Sequence, residues 1–352
     1  MVLTNYERIN LRKYLGLATV AALILSLTAC GSDSTESAGS GDSLSGTELT
    51  VYSGRSEEFI GPFFADFEAA TGIKLNVRYG DSAELAAQLL EEGDNSPADL
   101  FISQDAGSLG AVAEAGMLTA LEDDVLQLVP AEYEAASGLW IGLTGRARVF
   151  AYDPIKVTEL PTSIDDLLDP KWNGKIGIAP TNASFQGFVT ALRQLRGEAA
   201  AEQWLSGLAA NNPIAYEKNS MIVEAINAGE IELGLVNHYY TYEVADGLGT
   251  EINVENGFFA AGDPGNLINV SGAGVLNTAA NPAGAIELIK YLLTEESQNR
   301  FVTDTNEYSV LPSVPAPKQL PTFAEIGAPV VDLDALKDVR ATQELLIKVG
   351  LL

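Results

Sequence analysis

The chain has only one cysteine and one histidine among its 352 residues. A single cysteine excludes an intrachain disulfide, and the two residues together cannot build the usual zinc sites made of several His and Cys ligands. A Ser-His-Asp triad would have to use His238, and the sequence contains no G-x-S-x-G, H-E-x-x-H or G-x-x-x-x-G-K-[ST] signature. The sequence therefore favours binding over catalysis.

Basic residues are also scarce. Twenty Lys and Arg side chains stand against 48 Asp and Glu, which gives a formal charge of −28. Nucleic acids require a basic surface for their phosphates, so we expect no nucleic-acid partner. The acidic balance suits solubility outside the cell and the attraction of cations.

Long apolar runs are confined to the N-terminus. Arg8, Arg12 and Lys13 precede an apolar run over residues 14–27, which is too short to span a bilayer stably and is followed by LTAC ending at Cys30. This pattern resembles a bacterial lipoprotein signal. The resemblance implies cleavage before Cys30 and diacylation of its thiol; an uncleaved anchor with an incidental cysteine is the alternative.

The N-terminal region thus divides into two predicted parts. Residues 1–29 form the lipoprotein signal peptide, and residues 30–46 form the lipidated Cys30 with a flexible Ser, Gly and acidic tether. This arrangement places the body outside the cell, anchored by lipid to the outer face of the cytoplasmic membrane.

Strand and helix patterns alternate from residue 47 onward. Residues 48–55 form a short apolar strand, residues 56–72 carry apolar side chains at helical spacing, and residues 73–79 alternate with period two. Such alternation predicts βαβ units around mostly parallel sheets covered by helices. The loops at residues 53–56 and 103–105 should meet at one sheet edge, where open α/β folds bind ligands.

The body is best explained as two α/β lobes. A second series of elements follows LTGRARVFAYD at residues 143–153, and the strand LINVSGAGVL at residues 267–276 returns the chain, so the crossings lie near Arg146 and Asn269. A single large α/β enzyme domain is the alternative, which the missing catalytic signatures disfavour. We predict lobe 1 at residues 47–146 and 269–320, and lobe 2 at residues 147–268 and 321–352.

Three tyrosines lie within four residues of the segment NHYYTYEV, beside the single histidine. We place Tyr239 and Tyr240 at the end of a strand, where their side chains need not diverge to opposite faces and could both enter a cleft between the lobes. A phenol ionises at neutral pH only when a strong positive charge holds the phenolate, and Fe(III) prefers such anionic oxygen donors. A packed or sugar-stacking tyrosine pair is the alternative.

Two predicted helix starts in the same lobe carry small polar residues. Asn182, Ala183 and Ser184 follow a strand and precede a helix, so their amide groups are expected to hold an oxyanion. Asn219 and Ser220 repeat the arrangement at the next helix. Ordinary N-caps are the alternative at both places.

Several stretches together resemble the ferric-ion-binding substrate-binding proteins of bacterial ABC importers, from Leu49 to Leu352. These stretches are VYSGR, SPADLF, LTGRARV, PTNASF, YEKNS, NHYY and DPG. The resemblance implies a periplasmic-binding-protein fold with two lobes, joined by two hinge strands. It also implies a monomeric, non-enzymatic receptor that delivers its cargo to an ABC permease and ATPase.

The resemblance further implies a ligand site for Fe(III). Consecutive tyrosines, here Tyr239 and Tyr240, would coordinate the ion. Carbonate or phosphate would complete the site, bound by the loop at residues 182–184, by Asn219 and by Asn237. Arg55 and Arg146 would grip this anion bidentately and offset its charge.

The chain also departs from the family pattern. Ser56 stands where many members have histidine, Gln104 stands where they have glutamate, and Phe185 replaces a third tyrosine. Two tyrosines leave an octahedral ion short of four donors, which must come from anions, water or a carboxylate. The candidate carboxylates are Glu57, Glu58 and Asp105.

Two other functions remain open. The departures make a different cargo for an importer receptor credible, such as a ferric chelate, thiamine, a polyamine or a phosphonate. A hydrolase using His238 would need a nucleophile and a third partner, and neither can be identified in the sequence.

Overall fold

The computed structural model describes residues 44–352, so the predictions for the signal peptide and for Cys30 lie outside it. No helix within this range is long and apolar enough to cross a membrane. The last residues of the predicted tether belong to the body. The Gly46 amide donates to the Gly72 carbonyl at 2.9 Å, and the Leu44 side chain packs against the core because this buries its apolar surface.

Ten strands form the sheet structure of residues 44–352. They are β1 (Glu48–Ser53), β2 (Lys74–Tyr79), β3 (Leu100–Ser103), β4 (Ile141–Tyr152), β5 (Ile176–Ile178), β6 (Ile214–Ala215), β7 (Leu233–Asn237), β8 (Glu255–Gly257), β9 (Ile268–Val275) and β10 (Tyr308–Ser309).

In the described part of the chain, twelve α-helices accompany these strands. They are α1 (Glu57–Thr71), α2 (Ser82–Glu92), α3 (Ala106–Glu114), α4 (Asp123–Leu126), α5 (Ala183–Arg196), α6 (Glu198–Ala210), α7 (Asn219–Asn227), α8 (Tyr240–Leu248), α9 (Pro282–Leu292), α10 (Glu295–Thr305), α11 (Phe323–Ile326) and α12 (Val339–Lys348). Residues 164–168 form a 3-10 helix.

Strand order is β2-β1-β3-β9-β4-β7-β5-β6, and β8 and β10 pair with β4. Strand β1 is parallel to β2 and β3, and β5 is parallel to β6 and β7. The antiparallel pairings in the described chain all involve β4 or β9. The predicted α/β fold is confirmed, with parallel strands on both sides of two antiparallel strands.

Strand β4 belongs to both halves of the sheet. It pairs with β9 from Ile141 to Ala147 and with β7 from Arg148 to Tyr152. Arg146 lies opposite Asn269, and these are the positions near which the chain was expected to cross between lobes. The change of partner within one strand makes β4 and β9 the two connecting strands.

The C-terminal segment contacts both halves. Helix α12 packs on α5, whereas residues 334–337 pack on α3, and the Trp140 indole nitrogen donates to Asp334 Oδ1 at 2.7 Å. The assignment of residues 321–352 to lobe 2 alone therefore stays a prediction.

Helix α1 shows how local sequence determines an element that borders the site. Its apolar side chains Ile60, Phe63, Phe64 and Phe67 are all buried, at the spacing that places them on one face. The helix ends at Gly72, which adopts a left-handed conformation with φ of 75°. The burial of this face fixes the start of the helix, and hence Ser56, at the sheet edge.

Two clusters of buried apolar side chains form the core. The larger extends through both halves and includes Leu49, Phe67 and Phe188. The smaller includes Val149 and Ile222, where α7 packs against β4. The connecting strands are thus packed on both halves of the structure.

The connecting strands β4 and β9 approach so closely that one glycine cannot be replaced by a larger residue without a shift of its neighbours. A Cβ atom at Gly272 in β9 would lie 2.7 Å from the Ile141 carbonyl oxygen and 2.9 Å from Leu109 Cδ1. We expect Gly272→Ala to lower the free energy of unfolding by about 1–3 kcal/mol. Urea denaturation measures this change.

Gly247 provides the matched control because a Cβ atom there meets no atom within 4 Å, and the residue lies in helix α8. Gly247→Ala should raise the free energy of unfolding by roughly 0.5–1 kcal/mol through helix propensity. Equal effects at the two positions would contradict the close approach at Gly272.

Candidate functional site

A cleft of ≈ 850 Å³ lies where the loops after β1 and β3 face the starts of α5 and α8. Carboxyl ends of parallel strands and helix N-termini meet here, which is the usual ligand position in such folds. Eight of the candidate residues named from the sequence line this cleft: Arg55, Ser56, Glu58, Gln104, Asn182, Ser220, Tyr239 and Tyr240.

The two adjacent tyrosines lie side by side on the cleft wall. Their ring centroids are 4.4 Å apart and the ring planes are inclined by 32°. Both side chains are partly exposed to the cleft. The sequence expectation that consecutive tyrosines could enter one cleft therefore matches their placement.

The backbone that positions the pair differs from the expectation. Strand β7 ends at Asn237, Tyr239 is the N-cap residue of α8 with helical φ and ψ, and Tyr240 is the first residue of the helix. Successive strand residues would point to opposite faces, whereas the turn into a helix lets both rings turn the same way. Helix α8 was not identified from the sequence.

Buried cations lie near the phenols. Burial raises the pKa of Tyr240, the charges of Tyr239 and Glu243 add to this effect, and the Arg146 guanidinium opposes it. Burial lowers the pKa of Arg148 to about 9, and the two phenols oppose that fall. Arg148 therefore stays charged at neutral pH, so two guanidinium groups can stabilise phenolates that form beside them.

Arg55 and Arg146 are paired with a buried carboxylate that the sequence analysis did not identify. Arg55 Nη2 donates to Glu307 Oε1 at 2.9 Å, and Arg146 Nε lies 3.8 Å from the same oxygen. Although burial opposes ionisation, the two arginines hold the pKa of Glu307 below its ordinary value. Part of the hydrogen-bonding capacity of the two arginines is therefore used within the chain, and their contact with an external anion stays a prediction.

The predicted anion loop forms a hydrogen-bonded network. Ser184 N donates to Asn182 Oδ1 at 3.0 Å, and Asn219 Nδ2 donates to the same oxygen at 3.1 Å. Arg148 Nη1 donates to Ser184 Oγ at 3.1 Å. Asn182 N also donates to the Ala179 carbonyl oxygen at 3.0 Å, so two of the three amides already have partners within the chain. An amide contact to an anion stays a prediction for Ala183.

The other predicted residues do not line the cleft; they are Glu57, Asp105, Arg146, Ala183, Ser184, Asn219 and Asn237. The Asp105 carboxylate caps α3 by accepting from Ser108 N at 2.8 Å, and Glu57 is an exposed residue in the first turn of α1. Asn237 is 7% exposed and pairs with Arg148 across β4 and β7. Of the candidate carboxylates, Glu58 lines the cleft.

His238 is buried and fully engaged. Its Nδ1 accepts from Ala147 N at 3.3 Å, and its Nε2 donates to the Asn306 carbonyl oxygen at 2.7 Å. Burial lowers the pKa of His238 to about 4, which suits the neutral tautomer that these two contacts require. The imidazole has no exposed surface, so it cannot serve the hydrolase considered from the sequence.

Further acidic groups line the cleft without having been predicted. They are Glu243, Asp246, Asp304 and Glu307, and Lys218 and Arg55 provide the basic side chains of the wall. Glu243 follows Tyr240 by one helical turn, so a correct prediction of α8 would have found it. Glu307 follows α10, which was also missed, and nothing local in the sequence marks it as buried.

The described residues offer no metal site made of carboxylates and imidazoles as an alternative to the tyrosines. Within residues 44–352, no group of three or more His, Cys, Asp and Glu side chains is arranged to hold a metal ion. The arrangement in the cleft instead offers paired phenols, buried guanidinium groups and an acidic rim, which suit a hard cation together with an anion.

Comparison with known proteins connects this cleft to a family. The family model described as bacterial extracellular solute-binding protein matches residues 95–338. The Fe(3+)-binding periplasmic protein of Serratia marcescens is 33% identical over 310 residues, which covers 86% of this chain and 90% of the relative.

Two solved structures have the same fold over nearly their whole length. Iron-bound HitA from Pseudomonas aeruginosa is 36% identical with a TM-score of 0.79, covering 86% of this chain and 99% of that one. The Trichodesmium protein IdiA (FutA), in complex with iron and citrate, is 29% identical with a TM-score of 0.76, covering 87% and 100%. The chain therefore belongs to the bacterial extracellular solute-binding proteins, a family of transport receptors rather than enzymes, and is similar to the members that bind ferric iron.

Proposed function

We propose that the protein captures Fe(III) in the cleft, using Tyr239 and Tyr240 as phenolate ligands. The observation that carries this proposal is the placement of the two rings, 4.4 Å apart, on the wall of one cleft backed by buried arginines. Relatives named for ferric-iron binding over 86% of the chain support the same cargo.

An external anion completes the coordination of the ion. Arg55 Nη1 and Arg146 Nη2 are buried and have no hydrogen-bond partner within residues 44–352, which suits an anion such as carbonate or phosphate. Such an anion would supply donors that the two phenolates cannot. Movement of the lobes about β4 and β9 would then enclose the ion and its anion.

The receptor would release its cargo to an ABC permease with its ATPase, working as a monomer outside the cytoplasm. Lipid on Cys30 would hold it at the outer face of the cytoplasmic membrane. Cys30→Ser should then move the mature protein from the membrane fraction to the soluble fraction, and retention in the membrane fraction would contradict the anchor.

A ferric chelate is the second candidate cargo. The cleft of ≈ 850 Å³ is larger than one ion needs, and the Trichodesmium relative holds iron with citrate. In this case the organic acid would arrive with the metal, and its carboxylates would take the place of carbonate on the arginines.

Titration of the purified body with ferric iron tests both forms of the proposal. Tyrosinate-to-iron charge transfer should produce a visible absorption band, and bicarbonate, phosphate or citrate should each alter the apparent affinity. Saturation with iron without any visible band would contradict phenolate coordination. Complete indifference to all three anions would contradict the shared site.

A further inference from the structure

Glu307 lies in the wall of the cleft and is 1% exposed. Its Oε1 accepts from Arg55 Nη2 at 2.9 Å and lies 3.8 Å from Arg146 Nε, while its Oε2 accepts from Thr144 Oγ1 at 2.6 Å. A buried carboxylate is stable only when it is paired and hydrogen-bonded, and these contacts supply both. Glu307 is therefore a fixed negative charge at the floor of the site.

The same two arginines keep donors for a second acceptor. Arg55 is 7% exposed and Arg146 is 4% exposed, yet Arg55 Nη1 and Arg146 Nε and Nη2 have no hydrogen-bond partner within residues 44–352. The Arg55 guanidinium also lies 3.7 Å from the centroid of the Phe59 ring, which limits its movement. Buried donors without partners are costly, so they indicate that another acceptor binds here.

We propose that Glu307 is an internal counter-anion that shares Arg55 and Arg146 with the external anion and thereby sets the charge of the anion that the cleft accepts. The proposal rests on the proposed function, because the external anion is the one bound together with Fe(III). Glu307 is a positioning residue in this account. Its oxygens are already committed to Arg55 and Thr144, so it is not itself a ligand of the metal.

Glu307 can discriminate between anions because the Coulomb energy between two groups scales with the product of their charges. A carboxylate beside the guanidinium groups repels an external anion in proportion to the charge of that anion. Removing the carboxylate therefore favours a trivalent anion such as citrate more than a monovalent anion such as bicarbonate. The change appears in the ratio of two affinities, so it differs from a general loss of binding caused by poor folding.

The test measures iron binding by visible absorption in the presence of bicarbonate alone and citrate alone. We expect Glu307→Gln to raise the ratio of citrate-supported to bicarbonate-supported affinity by about tenfold or more over the wild-type ratio. Asp246→Asn is the matched control: it removes the same charge from an exposed position of the same cleft, where solvent screens it. We expect a clearly smaller change in this control.

A double variant, called here the paired variant, distinguishes an effect of charge from an effect of misfolding. Glu307→Gln leaves two buried guanidinium groups with less counter-charge, whereas Arg55→Gln combined with Glu307→Gln removes one charge of each sign. The ratio in the paired variant should return toward the wild-type value. A ratio as high as that of Glu307→Gln alone would overturn the proposal.

The outcomes separate this inference from the proposed function. Iron-dependent colour in the wild-type protein, with an unchanged ratio in Glu307→Gln, would overturn the role of Glu307 and leave the iron site intact. Absence of colour in the wild-type protein with every anion would overturn both. An equal change of the affinity ratio in Asp246→Asn would show that any acidic charge in the cleft has this effect, and would therefore overturn the specific role of Glu307 beside the arginines.

Discussion

Replacing Tyr239 and Tyr240 together by phenylalanine should abolish the visible iron band and lower iron affinity on the order of 10³-fold or more, equivalent to about 4 kcal/mol. The substitution removes both phenol oxygens but keeps the rings, whose centroids are 4.4 Å apart and which line the cleft. Visible titration with ferric iron in the presence of bicarbonate measures the loss.

Tyr242 supplies the matched control because it lies in the same helix but not in the cleft wall. Tyr242→Phe should retain the band and the affinity of the wild-type protein. The free energy of unfolding should change little in the double variant, since phenylalanine preserves the ring packing. Undiminished iron binding by the double variant would reject phenolate coordination.

Acid should destabilise the protein through its single histidine. Burial lowers the folded-state pKa of His238 from 6.5 to about 4, so the unfolded chain binds a proton in a pH range where the folded chain does not. The contribution of this group is complete above pH 6.5 and is lost as pH falls toward 4. The loss amounts to about 3 kcal/mol for this fully buried group.

Proton NMR can follow this titration without assignment, because the chain has only one imidazole. The signal should titrate near pH 4 in the folded protein without iron and near pH 6.5 in urea. His238→Gln should remove this part of the pH dependence measured by denaturation between pH 4 and 6.5. A folded-state titration near 6.5 would show that His238 is accessible to water.

The order of secondary structure was largely predictable because it depends on local patterns. The predicted strand at residues 48–55, helix at 56–72 and strand at 73–79 agree with β1, α1 and β2 to within two residues at each end. Apolar spacing and glycine stops determined these elements. Helix α8 was missed, since its first residues, Tyr240 to Tyr242, have no apolar spacing before Val244 and favour a strand as readily as a helix.

The candidate site was predictable only where chemistry is concentrated in adjacent residues. Tyr239 and Tyr240 are conspicuous as a pair, and Arg55 and Asn182 follow strands at the expected sheet edge. Glu307 lies 252 positions from Arg55 and follows a helix that the pattern did not show. Its pairing depends on the sheet order that brings β10 beside β4.

By itself, the sequence determined the α/β class, the paired phenols and the scarcity of other metal ligands, because these follow from residue type and local spacing. The tertiary structure alone decided which charges meet in the cleft. It showed that His238 is buried and neutral, that Asp105 is committed to a helix cap, and that Glu307 occupies part of the arginine pair. Burial and distance set the pKa and the partners of an ionisable group, and both arise only when distant segments pack together.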